Sequence, residues 1–286
     1  MSGKTIALVG AAVVAAVSAT GCTNDSAKTT FVLATYNVRC HYGEGEPGTH
    51  NWKERAPRWG RVVAKNKMDI IGTQEALVYQ LKDMIRVTGF AYIGGGRDDF
   101  KESGEYSCIL YNPERFELLK DGTFALSETP DVPGSRSWDS ACPRIATWGH
   151  FRDKNTGKEF VYYNTHLDHI SEEARINGIR MVVDHAKEHV TDVPLILSGD
   201  FNAYPNSETY RIAATLLKDS AKITLTPHVG PSQTFNGYGK NTNNDPIDYI
   251  FVSDGVTVKS HVTDDTMPDG CYASDHFPVV TEIELN

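Results

Sequence analysis

The stretch most suggestive of chemistry is Gly199-Asp200-Phe201-Asn202, which follows the apolar run Leu195-Ile196-Leu197. Residues two apart on an extended backbone project to the same side. Asp200 and Asn202 therefore point together off the end of a buried strand. A carboxylate there can take a proton from water, and an amide can hold that water or an anionic oxygen. Taken alone, the stretch reads equally well as a turn. The pattern recurs, however, at Asn37, Glu75, His166, Asp248 and Asp275-His276, each at an end of an apolar run. Singly these are turn residues, a helix-opening carboxylate at Glu75 and a satisfied core histidine at His166. Together, such readings would require many coincidences in one chain.

The elements that must position these residues follow from periodicity. Strands are expected over 31–36, 68–75, 106–111, 116–124, 247–252, 256–262 and 277–283, with a hairpin of 144–152 and 159–166 around 153–157. Helices are expected over 54–67, 77–87 and 207–217. The strongest helix signal covers 171–190, where Ser171, Glu172 and Glu173 open it and Ile176, Ile179, Val182 and Val183 form its apolar stripe. Residues 127–143, rich in Pro and Ser, read as a long ordered loop, and such loops inside compact domains tend to be functional or disordered.

Composition narrows the function. The 286 residues are 40% hydrophobic and 23% charged, with a formal net charge of −9. No Lys/Arg run is present, so an extended nucleic acid ranks below smaller phosphorylated substrates. Lys4, the apolar stretch 5–17 and Ser18-Ala19-Thr20-Gly21-Cys22 form a leader too short for an ordinary membrane span. Small residues directly before Cys22 resemble the lipobox of a bacterial lipoprotein. This reading makes 1–22 a signal peptide with a lipidated Cys22, 23–30 a tether and 31–286 one catalytic domain, membrane-anchored in the cell envelope. An ordinary secretory signal with a chance Cys is the alternative. Cys40, Cys108, Cys142 and Cys271 match no zinc spacing, and Cys108, in an apolar strand, reads as a buried thiol.

The strand-end residues, taken with their neighbours, resemble the endonuclease/exonuclease/phosphatase family, the deoxyribonuclease I-like superfamily. Tyr36-Asn37-Val38-Arg39, Thr73-Gln74-Glu75, Asn164-Thr165-His166, Gly199-Asp200-Phe201-Asn202, Ile247-Asp248-Tyr249-Ile250 and Ser274-Asp275-His276-Phe277-Pro278-Val279 occur in that family's order. The resemblance implies an α/β fold, a four-layer α/β/β/α sandwich of two mostly antiparallel sheets flanked by helices, with the site at one edge of the paired sheets. It also implies divalent-metal-dependent phosphoester hydrolysis, which needs an activated water and neutralised phosphoryl oxygens. Glu75, with Asn37 beside it and Asp275 in the shell, would hold Mg²⁺ or Mn²⁺, for which oxygen ligands are suited. Asp200 would orient and deprotonate the attacking water, and Asn202 would hold that water or a phosphate oxygen. His276 would donate to phosphate, backed by Asp248, and His166 would stand on the opposite side near the leaving oxygen.

Substrate choice lies in the loops, where the fold is silent. Arg144 could fork onto phosphate oxygens or form a surface salt bridge. Trp138 and His169 are further substrate-binding candidates among loop residues that also include His41, His50, Trp52, Arg97, Tyr204 and Tyr238. Their aromatic rings could stack on a base or a sugar. The reading favoured by the sequence is a monomeric phosphodiesterase acting on an envelope or extracellular substrate. A secreted nuclease and a catalytically silent binding lipoprotein are the alternatives.

Overall fold

The computed structural model describes residues 1, 3, 28–42, 48–189 and 193–286. The leader and the Cys22 anchor lie outside the described residues. In chain order, β1 (Thr29–Asn37) leads through α1 (Trp52–Lys65) to β2 (Ile70–Gln74), then α2 (Val78–Thr88), β3 (Ala91–Ile93), β4 (Ile109–Tyr111) and β5 (Phe116–Ala125). The hairpin β6 (Ile145–Asp153) and β7 (Glu159–His166) follows, then α3 (Glu172–His189), β8 (Leu195–Asp200) and α4 (Glu208–Ala213). The chain closes with β9 (Lys218–Asp219), α5 (Ser220–Ile223), β10 (Asp248–Val252), β11 (Val256–Thr263) and β12 (Val279–Leu285). The first strand begins inside the stretch expected as tether. The elements β3, β9 and α5 are too short to leave a periodic signal, so the sequence does not announce them.

Two six-stranded sheets result, in the orders β11-β12-β1-β2-β4-β3 and β5-β6-β7-β8-β10-β9. Each contains one parallel pair, β1 with β2 and β7 with β8, among antiparallel neighbours. Parallel neighbours need a crossover, and α1 and α3 supply the two. Apolar side chains form three layers of core. Phe31, Leu33, Ile70, Phe151, Phe160, Ile196 and Ile283 fill the space between the sheets. Trp59, Val62, Leu81 and Met84 seal α1 and α2 onto the first sheet. Ile179, Val182, Tyr210 and Leu217 seal α3, α4 and the turn after it onto the second. The outcome is a four-layer α/β sandwich.

Near one edge the inter-sheet layer turns polar. Asn164 on β7 donates from Nδ2 to the carbonyls of Thr73 (2.9 Å) and Cys108 (3.0 Å). Its Oδ1 accepts from Gln74 Nε2 (2.7 Å) and Ser198 Oγ (3.2 Å). Tyr162 reaches across with its hydroxyl, donating to the Ala34 carbonyl at 3.1 Å and accepting from the Gly72 N–H at 3.0 Å. Gly72 permits this approach, because a Cβ there would lie 2.6 Å from both Asn164 Oδ1 and Ser198 Oγ. Buried amides left without partners cost about 1–3 kcal/mol each. Asn164→Ala should therefore lower the unfolding free energy by roughly 2–4 kcal/mol, measured by urea denaturation. A loss under ~0.5 kcal/mol would show that the sheets do not depend on this residue.

Candidate active site

The sheet register puts two rows of strand ends face to face. On the first sheet, Asn37 ends β1, Glu75 follows β2, and Asp275-His276 precedes β12, whose Val279 pairs with Thr35. On the second, His166 ends β7, Asp200 ends β8, and Asp248 opens β10 opposite Asp200. β1 lies across β8 and β10, and β2 across β7 and β8. Residues far apart in sequence thus meet at one edge, where crossovers free the carboxyl ends of parallel strands for function.

Asn37 is the joint between the rows. Its Nδ2 donates to Glu75 Oε1 at 2.9 Å and to Asp200 Oδ2 at 3.0 Å. Its Oδ1 accepts the Arg39 N–H at 2.9 Å, so the amide carbonyl expected to face a metal is engaged by backbone. Glu75 adopts a left-handed backbone (φ 65), uncommon for such a residue and a strain that clusters at functional sites. Its Oε2 accepts the Cys40 N–H at 3.0 Å. Gly199 is required by close approach, since a Cβ there would sit 2.1 Å from the Thr165 carbonyl oxygen. Asn202, also left-handed (φ 47), folds its backbone N–H onto Asp200 Oδ1 at 2.9 Å. Its side-chain Nδ2 contacts the Leu167 carbonyl and His166 Nε2, both at 3.0 Å.

The histidines occupy distinct electrostatic environments. His276 Nδ1 donates to Asp248 Oδ2 at 2.8 Å, and the same oxygen accepts from Thr234 Oγ1 at 2.6 Å. Burial opposes the imidazolium, but the charge and hydrogen bond of Asp248, then Asp200, raise its pKa to about 10. Burial, followed by the neighbouring Arg144, holds His166 well below the ordinary histidine range. His166 is therefore neutral, and its Nε2 accepts from Asn202, leaving the ring proton on Nδ1. Nε2 lies 3.5 Å from Asp200 Oδ2, and His276 Nε2 lies 3.7 Å from the same oxygen, so both rings reach this carboxylate. Burial, then the Asp248 charge, push the Asp200 carboxyl up to about 7.

This geometry answers the question of a cation. Buried Asp200, Asp248 and Asp275 crowd one floor together with half-buried Glu75, and Asp275 is also raised, chiefly by burial. Ligand atoms of Glu75, His166 and Asp200 approach within 4.8 Å of one another, as do those of Asp200, Asp248 and His276. Arg39 gives partial compensation, 3.9 Å from Glu75 and 3.6 Å from Asp275. A mostly oxygen donor set with surplus negative charge fits a hard divalent cation. Cys142, Asp168 and His169 form another close group. Arg144 lies within it, 3.5 Å from Asp168 and 2.9 Å from His169 Nδ1, which disfavours a cation there.

A cleft of about 780 Å³ opens over the floor, lined among others by Arg39, Glu75, Arg144, His166, His169, Asp200, Asn202, Asp275 and His276. Asp248 lies behind His276 and does not line it. Trp138 is not among its lining residues either. A left-handed turn at Trp138 and Asp139 (φ 55 and 54) directs the Trp138 carbonyl to accept from Ser171 Oγ at the start of α3, a scaffold contact. Several supporting residues carry no sequence signal. Thr234 orders Asp248, and Ser274 Oγ donates to the Asn37 carbonyl at 2.7 Å. Arg55 on α1, fully buried, donates to the carbonyls of Val38, Arg39, His50 and Ala273 and ties both loops of the first row together. Long-range partners of this kind are invisible in local patterns. The cysteines at 40, 108, 142 and 271 are all free.

Fold and site together define a phosphoester hydrolase scaffold. The chain belongs to the Endonuclease/Exonuclease/phosphatase family, whose profile matches residues 34–276. A family member from Bacteroides vulgatus is similar at a TM-score of 0.85 and 36% identity, covering 91% of this chain and all (100%) of that one. The mannosyl-6-phosphatase Bt3783 of Bacteroides thetaiotaomicron VPI-5482 superposes at a TM-score of 0.82 and 37% identity, over 88% of this chain and 99% of that one. The protein L388 of Acanthamoeba polyphaga mimivirus is 29% identical over 192 residues, 62% of this chain and 69% of its own length.

The His276–Asp248 pair yields a signed pH prediction. A histidine whose folded pKa exceeds its unfolded value contributes stability that is complete below about 6.5 and is lost as pH rises through the folded value. In chelator-treated protein, Asp248→Asn should bring the His276 pKa down from about 10 to the ordinary range or below, followed by imidazole NMR. The decline in stability between neutral and alkaline pH should shrink in the same variant. An unshifted His276 titration would refute the pairing as its cause.

Proposed function

We propose that this chain is a divalent-metal-dependent phosphoesterase that removes a phosphate from a sugar. A monoester is preferred here to the diester favoured by the sequence. The observation that carries this reading is Arg144. It is only 5% exposed, lines the cleft, and its Nη1 has no hydrogen-bond partner among the described residues. A buried guanidinium with an unspent donor beside the reacting floor suits the phosphoryl oxygens of a dianion. The similarity to a mannosyl-6-phosphatase at 37% identity supports a sugar phosphate as the substrate class. The net charge of −9 argues against a duplex.

The residues divide the work as follows. A bound divalent cation on Glu75 and Asp275 would neutralise phosphoryl charge. Asp200, between Asn37 and the Asn202 N–H, is oriented to accept a proton from the attacking water. His276, kept cationic by Asp248, donates to a phosphoryl oxygen and cannot serve as base. Asn202 and neutral His166 brace each other on the Asp200 side, and Arg144 binds the phosphate from beyond His166.

Turnover of a hexose 6-phosphate, a sugar phosphodiester and plasmid DNA, each with Mg²⁺ or Mn²⁺, tests this function. The hexose 6-phosphate should be preferred, with activity lost on chelation. Asp200→Ala should cost about 10³-fold or more in kcat, and Arg144→Lys about 10- to 100-fold in kcat/KM through loss of the fork. Cleavage of DNA alone, or full activity in Asp200→Ala, would overturn the reading. We also place the enzyme in the cell envelope as a lipoprotein anchored through Cys22. In a bacterial host, Cys22→Ser should move the protein from the membrane to the soluble fraction, and unchanged membrane association would exclude that anchor.

A further inference from the structure

Besides its charged floor, the cleft has a flank that hydrolysis itself does not require. Tyr204, immediately beyond the catalytic turn, is 49% exposed and lines the cleft. Among the described residues its ring and hydroxyl make no hydrogen bond or ring contact. A large aromatic gains from burial, so folding gives no reason for its display there. Phe235 and Ile247, both half-buried, line the same cleft. The Phe235 ring lies 5.0 Å from that of His276 at 62°, which ties this flank to the reacting floor.

Sheet order fixes where the flank stands. Along the second sheet's edge, Arg144 precedes β6, His169 follows β7, Tyr204 follows β8 and Ile247 precedes β10. Arg144 and His169 therefore lie on the β7 side of Asp200 and Ile247 on the β10 side, and the segment carrying Tyr204 is tied to β10, whose Tyr249 hydroxyl donates to the Ala203 carbonyl at 2.9 Å. A molecule whose phosphate sits on the floor meets N–H donors on one side and carbon surface on the other. A pyranose presents both matching faces, hydroxyls around its rim and a patch of C–H groups across one side.

We propose that Tyr204, with Phe235 and Ile247, is the stacking platform for the pyranose ring carrying the phosphate, and that Tyr204 determines specificity for ring-bearing over ringless phosphates. This rests on the phosphoesterase reading above. Stacking on a nucleobase would use the same kind of surface, and it is the similarity to a mannosyl-6-phosphatase that favours the sugar.

The test compares hexose 6-phosphate, glycerol 3-phosphate and a nucleoside 5′-phosphate in the wild-type full chain, Tyr204→Ala and Tyr204→Trp, with Mg²⁺. The ratio of kcat/KM for hexose 6-phosphate over glycerol 3-phosphate should fall roughly tenfold in Tyr204→Ala, mainly through KM, and recover in Tyr204→Trp. An unchanged ratio overturns the proposal, and so does a loss confined to the nucleoside phosphate. Saturation-transfer NMR of a methyl hexoside separates the platform from catalysis. Transfer to ring C–H protons should be present with Asp200→Ala and lost when Tyr204→Ala is added. Transfer that persists without Tyr204 overturns the platform. Failure of the wild type to hydrolyse any of the phosphates would count against the hydrolase reading, while the NMR result still decides the platform.

Discussion

The site depends on how closely two sheets are held at one edge, and the Asn164 amide holds them. It uses both donors on carbonyls of the opposite sheet or its adjoining segment and receives two donors at its oxygen. A buried amide with every valence met is a rigid spacer, whereas a partly satisfied one would be a liability. Apolar side chains fill the rest of the inter-sheet layer and supply most of the cohesion, but they are non-directional. The amide adds direction, setting the separation at which Asn37 can reach both Glu75 and Asp200.

Above that joint, the floor concentrates carboxylates that burial alone would tend to neutralise. The elevated Asp200 pKa expresses this crowding, and the cationic His276 is its partial remedy. Low dielectric strengthens each of these interactions, so small displacements carry large consequences. Asn37 and the backbone N–H groups of Cys40 and Asn202 hold the acceptors in place, and Arg55 secures the loops behind them. Strain at Glu75 and Asn202 belongs to the same design, since both depart from the strand just where its side chains must be re-aimed.

Much of the fold was legible because its main strands and long helices are periodic. Asn37, Glu75, His166, Asp200, Asp248 and His276 could be picked out by their places at strand ends. The contact between His166 and the Asn202 amide was not legible, because it depends on the Asn202 backbone turning left-handed. The place of Trp138 outside the cleft lining was not legible for a related reason: a loop aromatic looks available until the turn that carries it is known. β3, β9 and α5 are stabilised by neighbours, and their few residues carry no local pattern of their own.

The sequence by itself determined the residue types that reach the sheet edge, since strand alternation and chain breaks are local properties. It also determined the acidic balance that disfavours a long polyanion. Tertiary structure alone decided which of those residues meet. Asn37 and Asp200, 163 positions apart, share a hydrogen bond only because β1 crosses β8 at the distance set by Asn164. It likewise decided that Arg144 keeps an unspent donor and that Tyr204 stays exposed. Burial and partnership are properties of a packed surface, to which distant segments contribute jointly.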